Sequence, residues 1–240
     1  MTLCRFESLG STNRYCERLD LDSIEEFTCY WALKQTDGVG QRGNHWESAP
    51  GMNLTFSVVL HPDFLPAVDQ FQLTQMLSLA ICDMLDEMSL PHKALIKWPN
   101  DIYVDGGKLC GMLSSVRLSA GRIGSAVCGV GLNVNQTEFP DWIPHPMSLR
   151  MLLGRSFELE PLLLQLLHHM ERRYDALGRH EDMMAEYLDR LMRRGEPAYY
   201  NYRGQRIEAT ITGVDTFGHL LLDSEGKHLN CDLKEIEFVI

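Results

Sequence analysis

No stretch of this 240-residue chain is apolar for long enough to cross a bilayer, which excludes a helical membrane span. Its opening, Met1-Thr2-Leu3-Cys4-Arg5-Phe6-Glu7, has neither the basic segment nor the apolar core of a secretory leader. The seven cysteines (4, 16, 29, 82, 110, 128 and 231) are odd in number and contain no C-x-x-C pair. That argues against a disulfide framework or a zinc site, and for free thiols in a reducing cytoplasm. Nine histidines supply no H-E-x-x-H, and the adjacent pair His168-His169 falls in an amphipathic helix, where both are expected at the surface. Positive charge is scarce: 22 Lys and Arg against 33 Asp and Glu give a formal net charge of −11. Nucleic acid is therefore excluded as the main partner, and any phosphate site has to be built locally. Internal repeats and low-complexity segments are absent.

What is present is an ordinary globular composition, 45% hydrophobic and 23% charged, long enough for one sizeable domain and a small one. Residues 27–34 read as a buried strand. Residues 53–60 alternate, with Leu54, Phe56, Val58 and Leu60 on one face, as a half-buried strand does. Residues 68–88 carry apolar side chains at helical spacing, and the methionines among them read as core filling. Residues 97–113, K-W-P-N-D-I-Y-V-D-G-G-K-L-C-G-M-L, have the outline of a β-hairpin turning at Asp105-Gly106-Gly107. A further turn falls at 119–122, and residues 161–177 and 181–193 read as amphipathic helices. From about Gly195 the texture changes to short strands and turns, a small barrel-like module.

Several features point to chemistry. In the hairpin, Lys97 and Lys108 sit beside apolar strands, and Asn100-Asp101 places an amide and a carboxylate where a core strand would begin. A surface hairpin with solvated charges is one reading; lysines beside a carboxylate, as a phosphate and its metal require, is the other. Residues 35–46, Q-T-D-G-V-G-Q-R-G-N-H-W, contain G-x-G-x-x-G at Gly38, Gly40 and Gly43. The dinucleotide reading fails, because Pro50 and Gly51 forbid the helix that the third glycine must open. A long, mobile, glycine-rich loop remains, whose N–H groups can surround an anion that Arg42 neutralises. Ser11-Thr12-Asn13 forms a helix cap, and its polar side chains could equally face a neutral polar ligand. Gly129 and Gly131 alternate along one strand, with Gly111 on its neighbour. They outline either a slot for a flat ring, with Asn133 and Asn135 at its end, or a bulge and tight sheet packing.

Taken in order and spacing, S-T-N, Q-T-x-G-x-G-x-R-G-x-x-W, K-W-P-N-D-I, G-K-L-C-G-M-L and G-V-G-L-N-V-N resemble the biotin protein ligases over essentially the whole chain. The resemblance implies an α+β fold: a mixed sheet flanked by helices, related to class II aminoacyl-tRNA synthetases, with a small C-terminal SH3-like β-barrel. The boundary is expected at 194/195, with residues 1–194 binding biotin and ATP. The chain resembles the monofunctional members, starting at the catalytic domain without an N-terminal helix-turn-helix.

The implied reaction joins biotin to ATP as biotinyl-5′-AMP, then transfers biotin to a lysine of a biotin carboxyl carrier domain. Carried onto this sequence, biotin would meet Ser11, Thr12, Asn13, Gln35, Gly38, Val39, Gly40, Gln41, Lys108, Gly111 and Gly131. ATP would meet Gly40, Gln41, Arg42, Gly43, Trp46, Lys97, Asn100 and Asn133. Lys108, Arg42 and Asp101 would be catalytic, with Asp101 orienting Mg²⁺ or deprotonating the acceptor lysine. A homodimer through the catalytic sheet is among the assemblies the family forms. Val39 and Gln41 depart from the family pattern by replacing two loop arginines. Two rival readings are lipoyl or octanoyl transfer on the same fold, and a non-catalytic biotin-sensing or partner-binding protein.

Overall fold

Strand formers and turn residues alternate along the chain in a way that builds one sheet from neighbours. In the computed structural model, which describes residues 1–239 apart from the side chain of Arg42, the strands are β1 (Thr2–Phe6), β2 (Thr28–Ala32), β3 (Leu54–Leu60), β4 (Leu95–Lys97), β5 (Asp101–Val104), β6 (Gly107–Ser119) and β7 (Arg122–Leu132). They form a seven-stranded mixed sheet in the order β1-β2-β3-β7-β6-β5-β4, with β1 and β2 parallel and the other pairs antiparallel. The hairpin expected at 97–113 is present: Asp105 and Gly106, both at positive φ, make the two-residue turn between β5 and β6. The turn expected at 119–122 joins β6 to β7 through Ala120 and Gly121, again both at positive φ.

The helices cover the sheet unequally. Helices α2 (Phe71–Asp86) and α4 (Leu159–Gly178) pack together on one face. There Leu54, Phe56, Val58 and Leu60 of β3 meet Leu77, Ile81, Leu163 and Leu167 in the main core. Met76 and Met84 are fully buried, the core-filling role their spacing predicts. On the other face lies the short helix α1 (Thr12–Glu17), over a smaller apolar cluster of Cys16, Leu21, Tyr30, Val59 and Val127. That second layer corrects one expectation. Strand β3 is buried on both faces, not one, because Thr55, Ser57 and Val59 lie in the sheet face that α1 covers.

Two further expectations change. His169 is buried at 3% exposure, not at the surface; its Nε2 lies 3.4 Å from Glu87 where α4 packs on α2, while His168 points outward. The helix expected at 181–193 is only α5 (Met184–Asp189). Beyond it the chain runs extended beside β4, where Arg190 O accepts from Ile96 N and Met192 N donates to Ile96 O, so edge pairing replaces helix propagation. Strand β1 and the short helix α3 (Leu149–Leu153), capped by Ser148 and closed by Gly154 at positive φ, are additional to the elements expected from the sequence.

The C-terminal strands β8 (Pro197–Tyr202), β9 (Gln205–Val214), β10 (Leu220–Ser224), β11 (Lys227–Cys231) and β12 (Ile236–Phe238) form an antiparallel sheet in the order β11-β10-β9-β8-β12, the small SH3-like module. Its buried Tyr200, Ile211 and Leu220 belong to the same apolar core as the large sheet. Among the described residues, no helix is long and apolar enough to cross a membrane.

Candidate active site

Antiparallel partners face the same side of a sheet, so register alone lines up a row of site residues. Thr55 pairs with Gly131, Gly131 with Gly111, Gly111 with Asp101, and Asp101 with Lys97. One step along, Ser57 pairs with Gly129 and Gly129 with Leu113. The α1 face of the sheet therefore carries polar side chains at both ends and glycine between them.

Lys108 belongs to this face only because β6 is irregular. In a regular ladder, residues three apart point to opposite faces, and Gly111 is already committed to the site. Pairing slips between Ile102 and Tyr103, so that Tyr103 opposes Lys108 and Leu109 becomes the extra residue of a β-bulge. Leu109 turns fully into the core, and the Lys108 ammonium reaches Asp101 Oδ1 at 2.7 Å. Backbone bonds clamp Lys108 in place: its N–H donates to His145 O, and its carbonyl accepts from Met147 N. Lys97 Nζ lies 3.9 Å from Asp101 Oδ2, giving two cations around one carboxylate that is 17% exposed. In a chain of net charge −11, two lysines brought to one cavity are a local concentration of positive charge. Burial, and then the Asp101 charge, push the Tyr103 hydroxyl up to about 12, so this neighbour remains neutral.

The opposite end of the site is neutral and hydrogen-bonded. Ser11 caps α1 by accepting from Arg14 N. Gln35 Oε1 accepts from Thr12 N (2.7 Å) and from Thr12 Oγ1 (3.2 Å). The Ser57 hydroxyl donates to Thr12 Oγ1 (2.7 Å) and Asn13 Oδ1, sharing one proton between them. Asn13 Nδ2 donates to Leu113 O at 2.9 Å. Every bond in this network sets a neighbour's orientation, and a buried group left without its partner would cost about 1–3 kcal/mol. The wall can therefore present fixed donors and acceptors to a neutral polar ligand.

The glycine loop, expected as a long mobile segment, folds on itself between these ends. Val39 bridges His45, Gly40 N donates to Asn44 O, and Trp46 N donates to Gly38 O, around a single 3-10 turn at Gln41–Gly43. Gly38 tolerates no side chain, since a Cβ there would lie 2.4 Å from Trp46 O, and Gly43 turns at φ +80°. Arg14 pairs with Asp37 and ties the base of the loop to α1. The flat ring resting on the glycine floor is the chain's own Trp46: a Cβ on Gly131 would come within 2.3 Å of its indole, and one on Gly111 within 3.0 Å. Gly129 leaves room for the Asn13 amide in the same way.

Together these groups line one cavity of about 410 Å³. Of the residues singled out in the sequence, Ser11, Thr12, Asn13, Gln35, Val39, Gly40 and Gln41 line it from the α1 and loop side, and Trp46, Lys97, Asn100, Asp101, Lys108, Gly111 and Gly131 from the sheet side. Gly38 and Gly43 shape the loop behind the wall. The Arg42 side chain lies outside the described residues. Asn100 uses its amide on Met112 O, which also fixes β6. Asn133 lies behind Lys108, donating to Lys108 O (3.4 Å) and Met147 O (3.0 Å); its buried Oδ1 has no donor among the described residues. Asn135, expected at the end of the ring slot, instead exchanges both amide bonds with Phe157.

Sequence reasoning missed Ser57, which bonds Thr12 and Asn13 from behind the wall, and the lining residue Leu113. It also missed Leu233, Ile236, Glu237 and Phe238 of the C-terminal module, which close one end of the cavity. Ser57 was findable, since it falls on the polar phase of the β3 alternation; the C-terminal residues carry no signal at all.

Among the described residues, no group of three or more His, Cys, Asp or Glu could hold a metal. Among the described residues, the carboxylates that line the cavity are Asp101, between the two lysines, and Glu237 at the C-terminal end. That suits Mg²⁺ arriving on a nucleotide, which needs only one or two protein carboxylates beside phosphate and water.

Comparison with known proteins identifies the family of the chain. The model of the biotin/lipoate A/B protein ligase family matches residues 5–133. The bifunctional ligase/repressor BirA of Bacillus subtilis is 30% identical over 223 residues, covering 90% of this chain and 67% of that protein. The biotin–[acetyl-CoA-carboxylase] ligase of Paracoccus denitrificans is 29% identical over 204 residues, covering 80% of this chain and 83% of that one. In fold, the chain is similar to the biotin protein ligase of Aquifex aeolicus solved with biotin and ATP, with a TM-score of 0.81 at 23% identity over 99% of this chain and 98% of that one. With a bulge-aimed lysine, a glycine floor and an amide-lined wall in one cavity, and with these relatives, the chain belongs to the biotin/lipoate A/B protein ligase family.

Proposed function

We propose that this protein is an ATP-dependent biotin ligase that attaches biotin to a lysine of a biotin carboxyl carrier domain, residues 1–194 forming the catalytic unit and residues 195–240 the SH3-like module. The observation that carries the reading is a single cavity with two chemically opposite ends. One end is a neutral wall of Ser11, Thr12, Asn13 and Gln35, held from behind by Ser57; the other is Lys108 and Lys97 around Asp101. A ligand with a polar uncharged head and a carboxylate tail, meeting a polyphosphate, matches that division. Lipoyl transfer fits less well, because an aliphatic tail would leave the polar wall unanswered.

In the first step a biotin carboxylate oxygen attacks the α-phosphorus of ATP, the bond to the bridging oxygen breaks, and pyrophosphate departs. Such a transfer depends on positioning and charge neutralisation. The Lys108 ammonium neutralises the carboxylate and the charge that develops on the α-phosphoryl oxygens. Lys97 faces the departing pyrophosphate, and the family motif assigns Arg42 a charge-neutralising role in the same step. Mg²⁺ on the nucleotide would supply further charge neutralisation, with Asp101 as its protein carboxylate. In the second step the neutral amine of the acceptor lysine attacks the mixed-anhydride carbonyl, AMP leaves, and the amine gives up a proton; Asp101 is the carboxylate placed to receive it. Trp46, resting on the glycine floor, supplies an apolar surface beside the reacting groups, and the folded glycine loop limits the access of water.

The test is biotin-dependent pyrophosphate release from ATP, with and without a carrier domain, for wild type and Lys108→Ala. Release that needs biotin and Lys108, together with a biotinylated carrier, is the expected result. Biotin binding with no release of pyrophosphate would overturn the reading in favour of a sensor.

A further inference from the structure

The small C-terminal sheet reaches into the cationic end of the site. Phe238, the last residue of β12, has its ring centroid 5.1 Å from Lys97 Nζ. On another side of the same ammonium stands the Tyr103 ring, at 5.6 Å, with Asp101 Oδ2 at 3.9 Å. A lysine has four rotatable bonds and a compact charge, so left to itself it samples many positions. An ammonium within about 6 Å of a ring face is attracted to the negative π surface, and the more so when partly desolvated. The Lys97 side chain is 19% exposed, which places it in the regime where that attraction counts.

Phe238 is itself held rigidly. It pairs with Tyr200 across β12 and β8, and the Tyr200 ring meets its ring edge-on at 5.2 Å and 79°. The next residue, Val239, accepts from Arg193 Nη1 at 2.9 Å. The segment that carries Lys97 is tied to the same region: Trp98 Nε1 donates to Gly218 O at 2.9 Å, and the Tyr187 hydroxyl donates to Pro99 O at 3.1 Å. Ring and lysine are thus fixed relative to one another from both sides.

We infer that Phe238 is a positioning residue for the ATP-dependent step: its ring face, supplied by the C-terminal module, holds the Lys97 ammonium beside Asp101 at the phosphate end of the cavity. The inference rests on the ligase reading above. It makes the C-terminal sheet a working wall of the active site, acting on the nucleotide and not on biotin. An aliphatic side chain of similar volume fills the space and lacks the ring quadrupole, whereas tyrosine keeps it. The two substitutions therefore separate packing from cation–π positioning.

The experiment measures biotin-dependent ATP–pyrophosphate exchange in the full-length protein, with biotin affinity and thermal midpoint measured alongside. Phe238→Leu is expected to lower kcat/KM for ATP about three- to thirtyfold, with biotin affinity unchanged, and Phe238→Tyr to restore the wild-type value. In a Lys97→Met background, Phe238→Leu is expected to cause no further loss. Phe238→Met carries the same test if the leucine variant does not fold. Equal activity of Phe238→Leu and wild type, equal losses in the leucine and tyrosine variants, or an undiminished effect without Lys97 would each overturn the inference while leaving the ligase reading intact. Absence of biotin-dependent exchange in the wild type would overturn the reading, and the inference with it.

Discussion

Asp101 Oδ1 stands 2.7 Å from the Lys108 ammonium across β5 and β6, a contact that exists only because the bulge at Leu109 brings Lys108 round to the face already occupied by Gly111. Truncating Lys108 removes a charge and no core packing. Lys108→Ala is expected to reduce biotin-dependent pyrophosphate release roughly 10²- to 10³-fold, the usual scale for one lost charge-stabilising donor. Global stability should change by less than about 1 kcal/mol, as for other partly exposed ion pairs. Steady-state pyrophosphate release and a urea titration would check the two halves of this expectation.

The glycine floor makes a graded prediction. A methyl group on Gly131 would sit 2.3 Å from the Trp46 indole, and one on Gly129 would sit 2.0 Å from Asn13 Oδ1. Gly131→Ala can be relieved by displacement of the loop, so the protein should fold but lose ligand affinity, and tryptic cleavage after Arg42 should accelerate. Gly129→Ala meets an amide bonded to both Leu113 and Ser57, so overpacking there should destabilise the fold by about 1–3 kcal/mol. Equal cleavage rates for Gly131→Ala and wild type would contradict the placement of Trp46 on the floor.

Trp98 joins the two sheets by one hydrogen bond, from Nε1 to Gly218 O. Trp98→Phe keeps most of the ring volume and leaves a buried carbonyl without its donor. A loss of about 1–3 kcal/mol is expected, read as a lower urea midpoint with the slope unchanged.

The thiols predict a pH dependence. Burial pushes Cys16, Cys82 and Cys128 up to about 12 and Cys231 to about 11, from an ordinary value of 9.0, and raises Cys29 and Cys110 as well. At pH 8 these side chains are protonated and shielded, so the native protein should react with iodoacetamide mainly at Cys4, the thiol that is not fully buried. For stability the sign follows from linkage. Folded-state values lie above the unfolded one, so the contribution is complete below about pH 9 and is lost as pH rises towards the folded values. Unfolding midpoints measured from pH 8 to pH 10.5 should therefore fall.

The periodic elements were legible in the sequence, because periodicity, turns and caps are local physics. The alternation of β3, the apolar face of α2, the Asp105-Gly106 turn and the Ser11 cap all follow from residues within a few positions of one another. The contributing motifs of the site were legible too, since glycine where a strand should carry side chains, and lysine beside carboxylate, are departures visible without coordinates. Helix length after Asp182 was not, because competition from β4 for the backbone of Arg190 and Met192 is a long-range effect.

What the sequence by itself determined is therefore which residues are exceptional; where they meet was decided by tertiary structure. Strand periodicity puts Lys108 and Gly111 on opposite faces, and only the ladder's slipped register places both on the site. Asn133 and Asn135 look alike in G-V-G-L-N-V-N, yet one supports Lys108 while the other is bound to Phe157. Phe238, nearly at the end of the chain, gains its place beside Lys97 from the pairing of β12 with β8. Contacts across such separations are set by how sheets register and pack, and no local pattern encodes them.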